Sequence, residues 1–264
     1  QYLHYTGPFN LDELGLFGDR SQVFGGLLTG DLGPSFRYRD YTVNGIIAQS
    51  RPISLRLGAL ALVWALGLGL LTGIVSAVRP RSKLDQALRL ASTAGIALPN
   101  FVIAGLLLLA LAFTVKLFPV AGVGSPRHLV LPSLALGLPF AAYVARLART
   151  GLLETLAEDY VRTAVAKGLP TRLVITRHAL KGALRPVVSF LGPASAGILT
   201  GSLVIERIFF IPGTGSHFVN SALNRDYTLA MGVTLRYTVL VYALNTLVDL
   251  AYVLIDPRLR AEDA

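Results

Sequence analysis

Five stretches of this chain are long and apolar enough to cross a membrane, at about 54–78, 91–115, 129–147, 187–205 and 229–255. Nothing else in the sequence constrains its fold as strongly. A hydrocarbon core roughly 30 Å thick contains no water for an unpaired backbone group, so each stretch must be helical. The expected fold is therefore an all-α integral membrane protein. Residues 54–264 form its transmembrane domain and residues 1–53 a mixed, polar segment ahead of it. Composition agrees: 53% of residues are hydrophobic, 15% are charged, and mean hydropathy is +0.59. Without cysteine, disulfides and thiolate metal sites are excluded.

The spans carry local signals of packing and bending. Gly69-x-x-x-Gly73 in the first and Gly197-x-x-x-Gly201 in the fourth permit close helix approach. Leu98-Pro99-Asn100 interrupts the second span, where proline removes a backbone donor and predicts a kink. Pro132, Pro139 and Pro193 predict further bends. Arg236 and Asp249 lie inside the fifth span as pathway-lining or helix-pairing residues, or as side chains that snorkel to the boundary. Glu206-Arg207 closes the fourth span and reads as a membrane boundary; His128 reads as an interfacial residue.

Charge asymmetry sets the orientation. The net charge of +9 is spread over the loops rather than gathered in one patch, which points to topology and away from nucleic acid. Eight Lys/Arg lie between Arg146 and Arg185 and four between Arg79 and Leu90, where Asp85 is a lone acid. The alternate loops 116–128 and 207–228 hold two each. The basic loops and the C-terminus are thus expected in the cytoplasm, and residues 1–53 outside. An exported N-terminus without a leader calls for a preceding span that this sequence lacks.

The longest polar insert, 148–186, lies between the third and fourth spans. Leu153, Leu156, Tyr160 and Ala164 recur at three- and four-residue spacing, which predicts one amphipathic helix. Gly168 can close that helix in the left-handed conformation, and Pro170 prevents its continuation. Thr171 is expected to cap a second helix carrying Arg172, Arg177, His178, Lys181 and Arg185.

This insert resembles the cytoplasmic "EAA" coupling loop of permease subunits in binding-protein-dependent ATP-binding-cassette importers. Arg162-Thr163-Ala164, three residues and Gly168 match the front of that pattern, and Leu184-Arg185-Pro186 its back. Arg162 stands where the family has Glu, with acids displaced to Glu158 and Asp159. DYVRTAVAKGL followed by RHAL is similar to the peptide (oligopeptide and dipeptide) branch. So are HLVLPSLALGLPFAAYVARLAR around the third span, and Glu206 to Gly215 in the form E-x-x-F-x-x-P-G-x-G.

The resemblance implies a multi-pass inner (plasma) membrane permease with six spans in the full protein, the first missing here. It implies a second, paralogous permease, two cytoplasmic ATP-binding-cassette subunits and an extracytoplasmic binding protein as partners, with lipid around the helices. Arg162, Thr163, Ala164, Lys167, Gly168 and Leu169 would be the ATPase-coupling residues. The chain has no Gly-x-x-x-x-Gly-Lys-Ser/Thr loop and no metal-ligand or nucleophile–base spacing, so it is read as no enzyme. It needs no cofactor of its own; ATP and magnesium would be bound by the partner ATPases. Related permeases carry peptides, nickel chelates or sugars, and the spans do not separate these. Other classes are a free-standing secondary carrier or channel, or a membrane anchor without a pore. Neither internal symmetry nor an intramembrane ionisable cluster favours the carrier, and proline-interrupted spans disfavour the anchor.

Overall fold

The computed structural model describes residues 30–38, 41–199 and 203–255. Thr6-Gly7-Pro8, Gly25-Gly26, Gly201 and the tail with Arg258 and Arg260 lie outside the described residues. The described chain is helical, and its only strand-like pairing is an isolated bridge between Pro34 and Thr42.

Helix α1, Val43–Val78, starts well before the expected span. Thr42 caps it, its hydroxyl accepting from the Gly45 amide at 3.1 Å, and Pro52 is accommodated inside. The boundary expected at residue 54 therefore falls within a helix. A short N-terminal segment folds back onto that start: the Val43 amide donates to the Gly33 carbonyl at 2.8 Å. Gly30 and Gly33 supply positive φ there, and Leu32 packs with Val43, Ile46 and Ile47.

The second span is not one helix. α2 (Lys83–Ala97) stops before Pro99, and α3 (Asn100–Leu107) continues into a π-helical segment, Leu108–Thr114. The axis turns by 114° at the break. Proline deletes a helical hydrogen bond, and the predicted kink becomes a sharp fold. The pair is a broken span or a re-entrant loop.

α4 (Arg127–Leu156) runs through both Pro132 and Pro139 and extends past the expected end of the third span. It packs along α1 through small residues. A Cβ added at Gly69 would lie 2.6 Å from the Val144 side chain, and one at Gly73 2.5 Å from the Ala145 carbonyl oxygen. Gly137 returns the contact, 2.5 Å from the Ala61 carbonyl oxygen. Two helices this close gain dispersion contacts that lipid cannot match. Around them gather Leu57, Leu131, Leu136, Ile198 and Ile205, all buried.

After α4 come α5 (Asp159–Ala166) and α6, which is built from Thr171–Leu173, a π-helical segment Val174–Ala179 and Leu180–Ala183. α7 (Arg185–Leu199), α8 (Leu203–Ile208), α9 (Thr214–Leu223) and α10 (Tyr227–Ile255) complete the chain. Among the described residues, four stretches are long and apolar enough to cross a membrane: Val43–Val78, Arg127–Leu156, Arg185–Ile208 and Tyr227–Leu247. The bent α2–α3 pair makes a fifth if it counts as one span. At Gly197 an added Cβ would meet open space among the described residues, so none of them packs closely against this glycine.

Candidate functional site

The polar insert folds as a corner, with two differences from the expected form. Leu153, Leu156, Tyr160 and Ala164 do not share one helix: α4 ends at Leu156, Ala157 and Glu158 turn, and α5 begins at Asp159. Thr171 is not a cap either. Pro170 occupies the N-cap position in extended conformation, because its fixed φ already suits a helix entry. Gly168 has φ +77°, and its amide donates to the Val165 carbonyl at 2.9 Å. That is the left-handed closure glycine favours at a helix C-terminus.

The six residues assigned to coupling divide between two faces. Ala164 is 4% exposed and packs with Val161, Val174, Ala179, Ala183 and Leu152. Leu169 packs against the same cluster. These two hold the corner together: the small side chain of Ala164 lets α5 sit on α6. Arg162, Thr163, Lys167 and Gly168 face outward. Arg162 meets Asp159 at 3.7 Å with both side chains largely exposed, a pair worth little. Tyr160 and Val165 add exposed apolar surface that the motif did not flag, at 51% and 58% exposure. The corner is pinned to the bundle at Gly151, where an added Cβ would lie 2.4 Å from the Ala183 carbonyl oxygen.

Two polar hubs fix the ends of the bundle. In the first, Asp85 is not a lone loop acid. Arg149 on α4 grips it with two hydrogen bonds, Nε to Oδ1 at 2.8 Å and Nη2 to Oδ2 at 3.0 Å. Ser76 on α1 donates to Oδ1, and the Arg81 amide donates to Oδ2 at 2.9 Å. Ser82 caps α2 by accepting from the Asp85 amide at 3.1 Å. Three helices therefore meet at one carboxylate.

In the second hub, Glu206 is fully buried within the protein rather than exposed at the end of its span. Its Oε1 accepts from the Ser54 hydroxyl at 2.8 Å and its Oε2 from the Ser216 amide at 3.0 Å. Ser54 in turn accepts from the Thr214 amide and hydroxyl, at 3.0 and 2.9 Å. Glycine is required beside it: a Cβ at Gly213 would sit 2.4 Å from Glu206 Oε2, and one at Gly215 2.9 Å from it. The E-x-x-F-x-x-P-G-x-G pattern is thus a loop wrapped around its own glutamate, with Phe209 and Ile211 buried beneath.

Nearby, Asp226 accepts from Ser35 and from the amides of Phe36 (3.2 Å) and Leu229 (3.1 Å), and from Thr228 Oγ1 at 3.0 Å. Burial alone pushes this carboxyl up, but the hydrogen bonds from Ser35, Leu229, Phe36 and Thr228 outweigh it and hold it below the usual carboxylate range. His217 on α9 has a buried Nδ1 with no hydrogen-bond partner among the described residues, and burial pushes its pKa down. Arg236 is exposed on α10 and Asp249 belongs to the same helix; the Asp249 side chain lies outside the described residues. His128 Nδ1 accepts from the Ser125 amide at 3.1 Å and orders the turn before α4. Among the described residues no cluster of His, Asp or Glu could hold a metal ion.

The profile of the family described as "Binding-protein-dependent transport system inner membrane component" matches residues 69–261. The oligopeptide transport system permease protein OppB of Salmonella typhimurium is 44% identical over 236 residues, covering 89% of this chain and 77% of that protein. The dipeptide transport system permease protein DppB of Bacillus subtilis is 45% identical over 234 residues, covering 89% of this chain and 76% of that protein. The fold is similar to a chain of the inward-facing MetNI methionine ABC transporter, with a TM-score of 0.63 at 16% identity, over 77% of this chain and 93% of that one. It is also similar to a chain of an amino acid ABC transporter, with a TM-score of 0.61 at 17% identity, over 78% and 92% of the two.

Proposed function

The chain belongs to the family of binding-protein-dependent transport system inner membrane components, and from that membership we infer that it is a permease subunit of an ATP-driven peptide importer. The observation that carries the substrate class is the identity of 44–45%, over most of the chain, to permeases named for oligopeptide and dipeptide transport. In this reading the chain forms half of the translocation pathway and pairs with a second, paralogous permease. Two cytoplasmic ATP-binding-cassette subunits bind ATP and magnesium. An extracytoplasmic binding protein delivers the peptide.

The coupling role falls to the corner from α5 to α6. Arg162, Thr163, Lys167 and Gly168 form its outward surface, and Ala164 and Leu169 make it rigid from within. A packed corner moves as one body, so closure of the ATPases is passed on through α4, to which the corner is pinned at Gly151. The excess of basic residues near this corner supports a cytoplasmic location for it and for the C-terminus, with the Glu206 and Asp226 hubs toward the outside. Five spans follow if α2 and α3 count as one crossing. Arg236, exposed on α10, is the better candidate for lining the pathway or pairing with a neighbouring helix; Asp249 shares that helix.

Reconstitution tests this reading. Proteoliposomes holding the chain with the second permease and the ATPases should take up labelled oligopeptide only with ATP and the binding protein. ATP-independent uptake by this chain alone would make it a carrier. For orientation, cysteines at Ala166 and Phe36, both exposed, should be labelled from opposite sides, Ala166 from the cytoplasm.

A further inference from the structure

Beside the Asp85–Arg149 pair the structure holds a cavity of about 200 Å³, open to one side, between α1, α2 and α4. Its wall includes Arg89, Arg146 and Arg149 together with Ser92, Thr93 and Thr150; the Ser92 and Thr93 hydroxyls donate to the Leu88 and Arg89 carbonyls. No carboxylate lines it: Asp85 lies behind the wall, already held by Arg149. Arg89 and Arg146 are exposed and form no ion pair among the described residues. The cavity is therefore concave and positively charged through Arg89 and Arg146, whose guanidinium forks suit an oxyanion with several acceptor oxygens.

Its surroundings identify the source of that anion. Leu90, next to Arg89, is 72% exposed, and Leu71, next to Thr72 of the wall, is 62% exposed. Apolar side chains left open beside a cationic cavity suit a ligand with an anionic head and hydrocarbon tails. The depth agrees, because the cavity lies where α1 and α4 pass from apolar to basic sequence. We propose that this cavity binds the phosphate of an anionic phospholipid, with the guanidinium groups of Arg89 and Arg146 on the headgroup and the acyl chains along Leu71 and Leu90. Basic pockets between spans recognise anionic headgroups in this way.

The test uses the intact importer complex, reconstituted in bilayers of about one quarter phosphatidylglycerol in phosphatidylcholine. Native mass spectrometry then measures the lipid retained on this subunit. Phosphatidylglycerol should be retained over phosphatidylcholine, and Arg89→Gln with Arg146→Gln should lower its retention by about tenfold or more. Arg89→Lys with Arg146→Lys should keep most of it, and Arg172→Gln, an exposed cation on α6, should change nothing. Equal retention by the double glutamine variant would overturn the site. Displacement of the lipid by inorganic phosphate alone would overturn the lipid as its source and leave a free-anion site. If the double variant does not accumulate, the unsubstituted complex decides: retention should fall steeply with added salt, and salt-independent retention overturns the proposal.

Discussion

The bundle is closed at both ends by buried carboxylates, and the two ends keep them in opposite ways. Asp85 is matched by a full countercharge, the bidentate guanidinium of Arg149. Among the described residues no cation pairs with Glu206 or Asp226. Hydroxyls of Ser54, Ser35 and Thr228 and backbone amides of Ser216, Phe36 and Leu229 hold them instead. The difference follows from what each end joins. Asp85 connects three helices through side chains, so a long, charged fork can span the gap. Glu206 and Asp226 each gather a non-helical turn, whose free amide groups are the donors to hand. An ion pair at one end resists loss of charge badly. A nest of neutral donors at the other end resists crowding badly.

The largest effect should come from removing the charge where the charge is matched. Asp85→Asn leaves the Arg149 guanidinium, whose side chain is only 20% exposed, without its counter-ion. Breaking a fully buried pair costs about 3–5 kcal/mol. The Arg149 side chain still reaches solvent, so screening lowers the expected loss to about 2–3 kcal/mol. Thermal melting of the purified complex measures it. Glu206→Gln keeps one acceptor oxygen, for the Ser216 amide or the Ser54 hydroxyl, and strands no buried cation, so it should lose clearly less. If the two substitutions cost the same, the contrast between the ends collapses.

Crowding should reverse that order. Gly213→Ala would bring a methyl group to 2.4 Å from the Glu206 carboxylate and 2.5 Å from Ser54 Oγ. Overpacking of a closed site costs about 1–3 kcal/mol. On α2, the helix that carries Asp85, the comparable change is mild: Gly95→Ala meets the Ala142 Cβ at 3.0 Å and the Leu138 carbonyl oxygen at 3.9 Å. Melting temperatures of the two alanine variants compare the ends directly, and a loss at Gly95 exceeding that at Gly213 would contradict the nest.

The corner lies at the Asp85 end, where Ala77 and Leu152 pack into it, but its apolar core is distinct from that hub's hydrogen bonds. Gly168→Val tests that separation. With φ at +77° a β-branched side chain is strained, but it meets open space, so about 1 kcal/mol of local strain is expected and little loss of abundance. ATP-dependent uptake should fall while the membrane-embedded protein melts as before. Ala166→Val, at an exposed position of α5, is the suitable control. Gly151→Val is not, because the Ala183 carbonyl oxygen would lie 2.4 Å from its Cβ. Normal uptake by Gly168→Val at normal abundance would remove the corner from coupling.

How much of this was legible in the sequence depends on the distance over which each residue acts. Gly168, Gly69 and Gly73 were read correctly because backbone conformation and close packing are local or periodic signals. Pro99 announced a break, but its 114° angle is set by what α2 and α3 pack against. The hubs were missed because their partners are far apart in sequence: Arg149 is 64 residues from Asp85, and Glu206 is 152 from Ser54. In one dimension Asp85 is an acid among bases and Glu206 sits at a span end. One signal did point to the second hub. Two glycines close behind a glutamate, in a turn flanked by large apolar residues, suggest a chain that must pass close to something, and that something is the Glu206 side chain.

The smallest expected effect is a pH dependence confined to the Glu206 and Asp226 end. Burial depresses the pKa of His217, so the native state holds it neutral where the unfolded chain, near pH 6.5, begins to take up a proton. Below that pH the unfolded state binds more protons than the native one, so stability falls as pH drops. The loss levels off once pH has passed the folded value, and its slope for one group is at most about 1.4 kcal/mol per pH unit. Asp226 is also depressed, so its contribution is present above the unfolded carboxylate value of about 3.9 and is lost only as pH falls through the lower, folded value. The two windows are separate, and His217 acts first. His217→Gln should therefore flatten the melting temperature between about pH 7 and 5 while leaving any acid transition below pH 4 in place. The Asp85 variant should instead retain the full His217 slope, because the two groups lie at opposite ends. If His217→Gln melts with an unchanged slope across that range, the proton is taken up elsewhere, and this end of the bundle is as indifferent to moderate acid as the other.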